Sequence, residues 1–270
     1  MPFFLRRALR MAVWLAPLMV ARAPELPAQT AAAELAAGIV AADDRDPLSA
    51  FGHFEAALAA DPGSYEANWR AAQALVDIGK QTPDTARSAE RDSLYARAER
   101  FGRAAVAADS LGADGHYILA AAIGRASLTK SKKERVRRAS EIHREALRAL
   151  EIDPEHDRAY HVLGRWHAEI MRLSGFTRFF AKAFLGAAIF NEASWQGATD
   201  NMEKAVSLAP QSVYHRLDLA EIYVDRGRYG EAREQLERIA TLPVHDVMDP
   251  EYQAEAAALL QQIEGKRDKS

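Results

Sequence analysis

From Thr30 almost to its end this chain keeps an apolar pattern of helical period, interrupted at intervals by residues that stop helices. The pattern is clearest between Ser194 and Ile239. Ala198, Met202, Ala205 and Pro210 follow one another at steps of 4, 3 and 5; after a gap come Leu219, Ala220, Tyr223, Gly227, Ala232, Leu236 and Ile239. Small residues at fixed places let two helices approach closely, and larger ones three or four positions away fill the groove between them. Pro210 ends its helix because proline brings no backbone N–H to the ladder. No Val/Ile/Thr-rich run alternates with the period of a strand. Alanine, the best helix former, supplies much of the 49% hydrophobic content, which is ample for a core. The chain is therefore expected to be all-α.

The same marks recur upstream. A first pair is read at Ala31–Ala42 and Pro47–Ala60, with Asp46 placed to cap the second helix and Pro47 at its first position. A second pair uses Trp69, Ala72 and Val76, then Leu94–Ala108, with Phe101 standing in for a large residue that Gly102 replaces. A third spans Gly115–Arg125 and Lys133–Ile152, and a fourth begins at Tyr160 and ends at Pro210. A small residue in the first helix, a glycine turn, and alanine-spaced large residues in the second make up the tetratricopeptide pattern. The predicted fold is a tetratricopeptide-like α-solenoid of about five helix pairs over residues 29–264, with Pro250–Glu264 as a C-terminal capping helix and 265–270 as a disordered tail. The pairs close at Pro62, Ser110, Pro154, Pro210 and Val244, separations of 48, 44, 56 and 34. Only the last keeps the usual period of roughly 34 residues. The excess falls between the two helices of a pair, at Gly79–Asp92, Ala126–Lys132 and Leu173–Ala193, so all three insertions are expected along one rim.

The amino terminus differs from the rest. Arg6, Arg7 and Arg10 precede an apolar run from Met11 to Val20, and small and turn-forming residues follow through Ala28. That order describes a secretory signal peptide over residues 1–28, and an exported, periplasmic or secreted protein. An uncleaved amphipathic anchor is the alternative. The run is shorter than the roughly 18 apolar residues that a membrane-spanning helix needs, so no transmembrane span is expected in the mature chain. With no cysteine there are no disulfides, and stability must come from packing. Residues 1–28 hold four Arg and one Glu, which leaves 31 basic and 37 acidic side chains, a formal −6. That balance offers no general attraction to nucleic acid, and none is expected as a partner.

The run His161-Val162-Leu163-Gly164-Arg165-Trp166-His167-Ala168-Glu169-Ile170, preceded by Asp153-Pro154, resembles the regulator of microtubule dynamics family of tetratricopeptide-like proteins. Ser212 to Tyr223 and Asn68-Trp69-Arg70 are similar to it as well, so the resemblance covers about residues 31–262. It implies a helical repeat fold. It also implies kinship with eukaryotic proteins linked to microtubules and spindle poles, one of which has a phospholipid-binding tetratricopeptide domain at organelle contacts. This chain departs from those relatives in its secretion-type leader.

Two surfaces stand out as candidate sites. Arg158, His161, Arg165, Glu169 and Arg172 recur at three- and four-residue steps on the first helix of the fourth pair, which in such a solenoid lines the concave face; Glu221 belongs to the fifth. Arg165 is suited to a bidentate contact with a carboxylate or phosphate, while the plainer reading pairs it with Glu169 on a solvated face. The second surface is the insertion 175–190, with five of the chain's ten phenylalanines. Phe176, Phe179, Phe180 and Phe184, with Arg178 and Lys182 between them, either cover a groove and touch lipid or fold back over the interior. The basic run from Lys130 to Arg138 reads as a solvated helix face. His161 and His167 are six residues apart, where a helical zinc pair prefers four, so no metal is expected. No glycine-rich phosphate loop, Gly-x-Ser-x-Gly elbow or His-Glu-x-x-His is present. The expectation is a cofactor-free, non-enzymatic scaffold whose groove takes a protein or peptide partner in the cell envelope. The alternative is a lipid-binding or lipid-transfer protein holding phospholipid or fatty acid.

Overall fold

The computed structural model describes residues 27–82, 88–127, 130–173 and 188–268. Among them are eleven α-helices and no strand: α1 Pro27–Asp43, α2 Pro47–Ala60, α3 Tyr65–Lys80, α4 Ala89–Ala108, α5 Ala113–Ala126, α6 Lys132–Ile152, α7 Asp157–Arg172, α8 Trp195–Leu208, α9 Val213–Asp225, α10 Tyr229–Ile239 and α11 Asp249–Gln262. A 3-10 turn, Ala188–Asn191, precedes α8. Helices pack in consecutive hairpins, α1 on α2 through α9 on α10, and α11 covers the last of them. The first helices also touch in series, α3 on α5, α5 on α7, α7 on α9 and α9 on α11, as a solenoid requires.

The links from one hairpin to the next are alike, and side chains explain why. Three begin with an Asp whose carboxylate accepts the N–H two residues on: Gly63 N to Asp61 Oδ1 at 3.1 Å, Leu111 N to Asp109 Oδ1 at 2.8 Å, Glu155 N to Asp153 Oδ1 at 3.0 Å. The fourth link residue then caps the next helix. Ser64 accepts Ala67 N, His156 Nδ1 accepts Ala159 N and Ser212 accepts His215 N, each about one turn ahead. These four links are each four residues long, and the added length within the array lies inside the second, third and fourth pairs.

There α3 ends at Lys80 and α4 starts at Ala89, after Ser88 caps it; α5 and α6 are parted by residues 127–131, and α7 and α8 by 173–194. Leu173 and Phe190, at the two ends of the longest insertion, pack against Val136, Ala139 and Ile142 near the start of α6. The two described ends of the longest insertion therefore lie against the first turns of α6. Phe101 packs edge-on against Phe51, 6.1 Å between ring centres, and so faces the preceding pair. Gly102 beside it stands where a Cβ would meet Leu119 Cα at 3.0 Å, which is why no large residue occupies that place.

The interior forms several clusters that meet on α7. Its Ala159 belongs to the amino-terminal core, Leu163 to a cluster with Ala120 and Ala146, Trp166 and Ile170 to the patch around Phe190, and Ala168 to the carboxy-terminal core. The motif that carries the family resemblance is the axle of this arrangement. Gly164 lets α8 pass close, with Ala198 O and Met202 Cβ each 3.3 Å from where its Cβ would stand. Trp166 Nε1 donates to Ala139 O on α6 at 2.8 Å, and His167 Nδ1 accepts Ser194 N at the start of α8.

The two ends of the stack come together. Arg45, between α1 and α2, donates from Nη1 to Val244 O, 199 residues away, at 3.3 Å. Arg45 closes α1 at φ 63, with Asp46 N bonded to Ala41 O and Arg45 N to Ala42 O. Gly227 fills the same place after α9 at φ 74, with the same pair of bonds. For a non-glycine residue that conformation costs about 1 kcal/mol, and only a side chain reaches Val244. Beyond α11 the chain, read from sequence as a tail, runs back along α10. Gly230 N donates to Asp268 Oδ1 at 2.8 Å and Arg233 donates to Lys266 O.

Candidate functional site

First helices side by side, with the ends drawn together, enclose a cavity of about 960 Å³. Its walls come from α3, α5 and α7, the start of α9, the α1–α2 turn and the loop before α11. Four of the six residues expected in the groove line it: Arg158, His161, Arg165 and Glu169. Arg172 and Glu221 lie beside the lining and face each other, Nη2 to Oε2 at 3.4 Å. Phe176, Arg178, Phe179, Phe180, Lys182 and Phe184 lie outside the described residues. So do residues 1–26 of the expected leader; its last two, Pro27 and Ala28, open α1.

One connected polar network ties α7 to α9. Arg165 Nη1 donates to both carboxylate oxygens of Asp218, at 2.8 and 3.0 Å, and Arg165 also approaches Glu169 at 3.6 Å. Arg165 is thus paired within the molecule, one nitrogen shared between the two oxygens of Asp218 and another turned to Glu169 on its own helix. His161 Nε2 lies 2.9 Å from Asp218 Oδ2 without good hydrogen-bond alignment, while its Nδ1 is 2.9 Å from His215 Nδ1. One of the two rings donates there and the other accepts. His215 Nε2 meets Asp157 Oδ2 at 2.8 Å. Burial holds the His161 imidazole down to about 4, so that ring is neutral at physiological pH. Burial alone would raise the Asp218 carboxyl, but the Arg165 guanidinium and His161 outweigh it and keep Asp218 well below the usual carboxylate range. Glu221 is pushed up to about 7, first by burial and then by the Asp218 charge.

The opposite wall belongs to α3 and α5. Asp77 accepts from Gln73 Nε2 at 3.0 and 2.8 Å and from Lys80 Nζ at 3.2 Å, and Tyr117 OH donates to Gln73 Oε1 at 3.2 Å. Lys80 also sits 5.1 Å from the Tyr214 ring, which stacks on Tyr252 with 5.1 Å between centres. Sequence reasoning passed over these residues. The signs it had were Gln73, Asp77 and Lys80 at helical steps, and the single acid Asp218 between Leu217 and Leu219. Elsewhere the cavity wall turns apolar, where Phe190, Leu173, Ile170, Trp166 and Val136 meet. Of the basic run, Arg138 and Arg137 pair with Glu99 and Glu134, and Arg135 faces the cavity.

Stacked hairpins around a concave face define a tetratricopeptide-like α-solenoid, a fold that works by offering an extended binding surface. The family model described as Regulator of microtubule dynamics protein 1-3 matches residues 36–264, and the chain belongs to that family. Regulator of microtubule dynamics protein 3 of Rattus norvegicus is 26% identical over 176 residues, 65% of this chain; the match spans 36% of that relative's length. Among solved structures, a thermophilic TPR protein of Thermus thermophilus superposes with a TM-score of 0.59 at 18% identity, covering 86% of this chain and 99% of that one. The pilF protein of Pseudomonas aeruginosa gives 0.52 at 15% identity, covering 89% and 95%. At these identities the structural likeness speaks for the fold alone. Among the described residues no three His, Cys, Asp or Glu side chains gather as metal ligands, and no helix is long and apolar enough to cross a membrane.

Proposed function

We propose that this protein is a non-enzymatic scaffold of the cell envelope whose concave groove holds a short segment of a partner protein. The observation that carries the reading is the cavity of about 960 Å³, walled by charged and aromatic side chains from successive first helices. That volume is at the upper end of the roughly 300–1,000 Å³ of sites for small ligands, which suits a short peptide segment and excludes a folded domain. The basic-then-apolar leader, Arg6 to Val20, supports export. A photo-crosslinking side chain at Glu169, in the groove, should yield partner adducts in the source cell, whereas one at Leu147, 41% exposed on α6 outside the cavity, should not. Adducts from Leu147 alone, or from neither position, would refute the reading.

A second reading is favoured by one feature. The apolar stretch of wall at Phe190 and Leu173 adjoins the phenylalanine-rich insertion, as the lining of a lipid-holding groove would. Phospholipid or fatty acid recovered by mass spectrometry from the gently purified protein, with no partner adduct at Glu169, would favour that reading over the first.

A further inference from the structure

Four titratable side chains form a zigzag between α7 and α9. From Asp157 in the first turn of α7 the line crosses to His215 on α9 at 2.8 Å, returns to His161 on α7 at 2.9 Å, and crosses again to Asp218 on α9 at 2.9 Å. Both histidine side chains are 5% exposed, which leaves the hydrogens of these contacts to the four groups themselves. At such distances two atoms bearing only lone pairs repel, so each contact needs one proton. The last is poorly aligned, yet a bare Nε2 there would set a lone pair against a buried carboxylate. Neither end supplies a proton. Burial alone would raise Asp157, but the His215 hydrogen bond and nearby positive charge outweigh it; Asp218 is held low by Arg165 and His161. Two neutral imidazoles carry one N–H each, two in all, and three contacts need three.

We propose that the His161–His215 pair holds a third proton at neutral pH, a cation between two carboxylates that makes a proton-dependent joint between the fourth and fifth helix pairs. Burial keeps His161 the neutral ring, its Nδ1 accepting and its Nε2–H turned to Asp218, so His215 donates from both nitrogens. Around the line stand Arg165 and Glu169 on α7, Glu221 on α9, and His156 and Arg158 beside Asp157. The Tyr214 ring lies 4.1 Å from that of His161, with Lys80 of α3, Arg125 of α5 and Tyr252 of α11 behind it. Among the described residues none of these is hydrogen-bonded to either imidazole. Asp157, His161 and His215 line the cavity, so the proton fastens one wall of the groove. A free imidazole gives up its proton at about pH 6.5, and the folded pair keeps its own to higher pH. The stability it contributes is therefore complete below about 6.5 and is lost as pH rises through the pair's own value. One contact then faces lone pair to lone pair, and α7 loosens from α9.

The test is a count of protons. Long-range proton–nitrogen NMR on the full-length protein, labelled with nitrogen-15 in its eight histidines, separates bare from protonated ring nitrogens. At neutral pH the pair, assigned through contacts to the Tyr214 ring, should show three protonated nitrogens and one bare. In Asp157→Asn the side-chain amide donates to His215 and no third proton is needed, so the count should fall to two. Two protonated nitrogens in the wild type, or three in both proteins, would overturn the inference. Urea unfolding gives a second reading in Glu221→Gln, which removes another group titrating in the same window. There the folding equilibrium should weaken by up to about tenfold per pH unit above 6.5, and adding Asp157→Asn should abolish that dependence. A midpoint in Glu221→Gln that stays level from about pH 6.5 to 9 would sink the joint, whether or not the double variant folds.

Discussion

The contact between Arg165 and Asp218 ties the fourth pair to the fifth, and its removal has an asymmetric cost that can be worked from exposure. The Asp218 side chain is 4% exposed and the Arg165 side chain 35%. Losing one partner of a fully buried pair costs about 3–5 kcal/mol, because a charge is left uncompensated in a low-dielectric site. Here Arg165→Met strips Asp218 of two hydrogen bonds, but water reaches the guanidinium side. A discounted cost of about 2–3 kcal/mol follows. Asp218→Asn is milder, since Arg165 keeps water and Glu169, and should cost about 1 kcal/mol. The double variant buries no unpaired charge and should also lose only about 1 kcal/mol, less than Arg165→Met alone. For a chain of this size each kcal/mol moves the melting temperature by roughly 2–4 °C, so Arg165→Met should melt roughly 4–12 °C below the wild type. Thermal and urea unfolding followed by far-ultraviolet circular dichroism on the four proteins measures the cycle. If the double variant loses the sum of the two single losses, the pair is not coupled and the network is only geometric.

The remaining predictions concern protons and packing. His161 has a folded pKa of about 4 against an ordinary 6.5, so between those values the unfolded chain takes a proton that the folded one refuses. Its contribution is full above 6.5 and falls with pH by about 3 kcal/mol, with His143 and His167, also lowered by burial, acting the same way. Replacing His161 by Gln should flatten the stability profile from pH 6.5 to 4, and an unchanged slope would count against a buried neutral ring. Glu221 has the opposite sign: its pKa is raised from 4.5 to about 7, so the folded state loses stability as pH rises through that window. Glu221→Gln should gain on the wild type at pH 8 relative to pH 5, read from urea midpoints; an equal difference at both would dismiss the raised pKa. Finally, Gly164→Val drives methyl groups toward Ala198 O and Met202 where a Cβ alone is already tight. It should cost about 1–3 kcal/mol in the same unfolding assay, and a neutral result would show that α7 and α8 have slack.

What the sequence revealed followed from what is periodic or local. Asp46 with Pro47, the alanine spacing around Ala198 and Ala205, and the proline closings are short-range signals, and the helices they mark stand at those places. The groove face of α7 was legible because a stripe at steps of three and four is a local property too. The partners of that stripe were not. Asp218 lies 53 residues from Arg165 and His215 lies 54 from His161, and a single chain records nothing of such separations. Asp77 and Lys80 were hidden for a different reason. They read as an ordinary solvated helix face until the curvature of the stack turns that face inward. The capping serines Ser64 and Ser212 each stand two residues after a proline, a local sign of the helix start that follows.

The bond from Arg45 to Val244 sets a limit on the length of the array. A stack with free ends can gain or lose a hairpin in evolution, since each unit touches only its neighbours. Here the first turn measures the distance to the last loop. One hairpin more or fewer would shift the two out of register, leaving a left-handed arginine with its strain and no recipient.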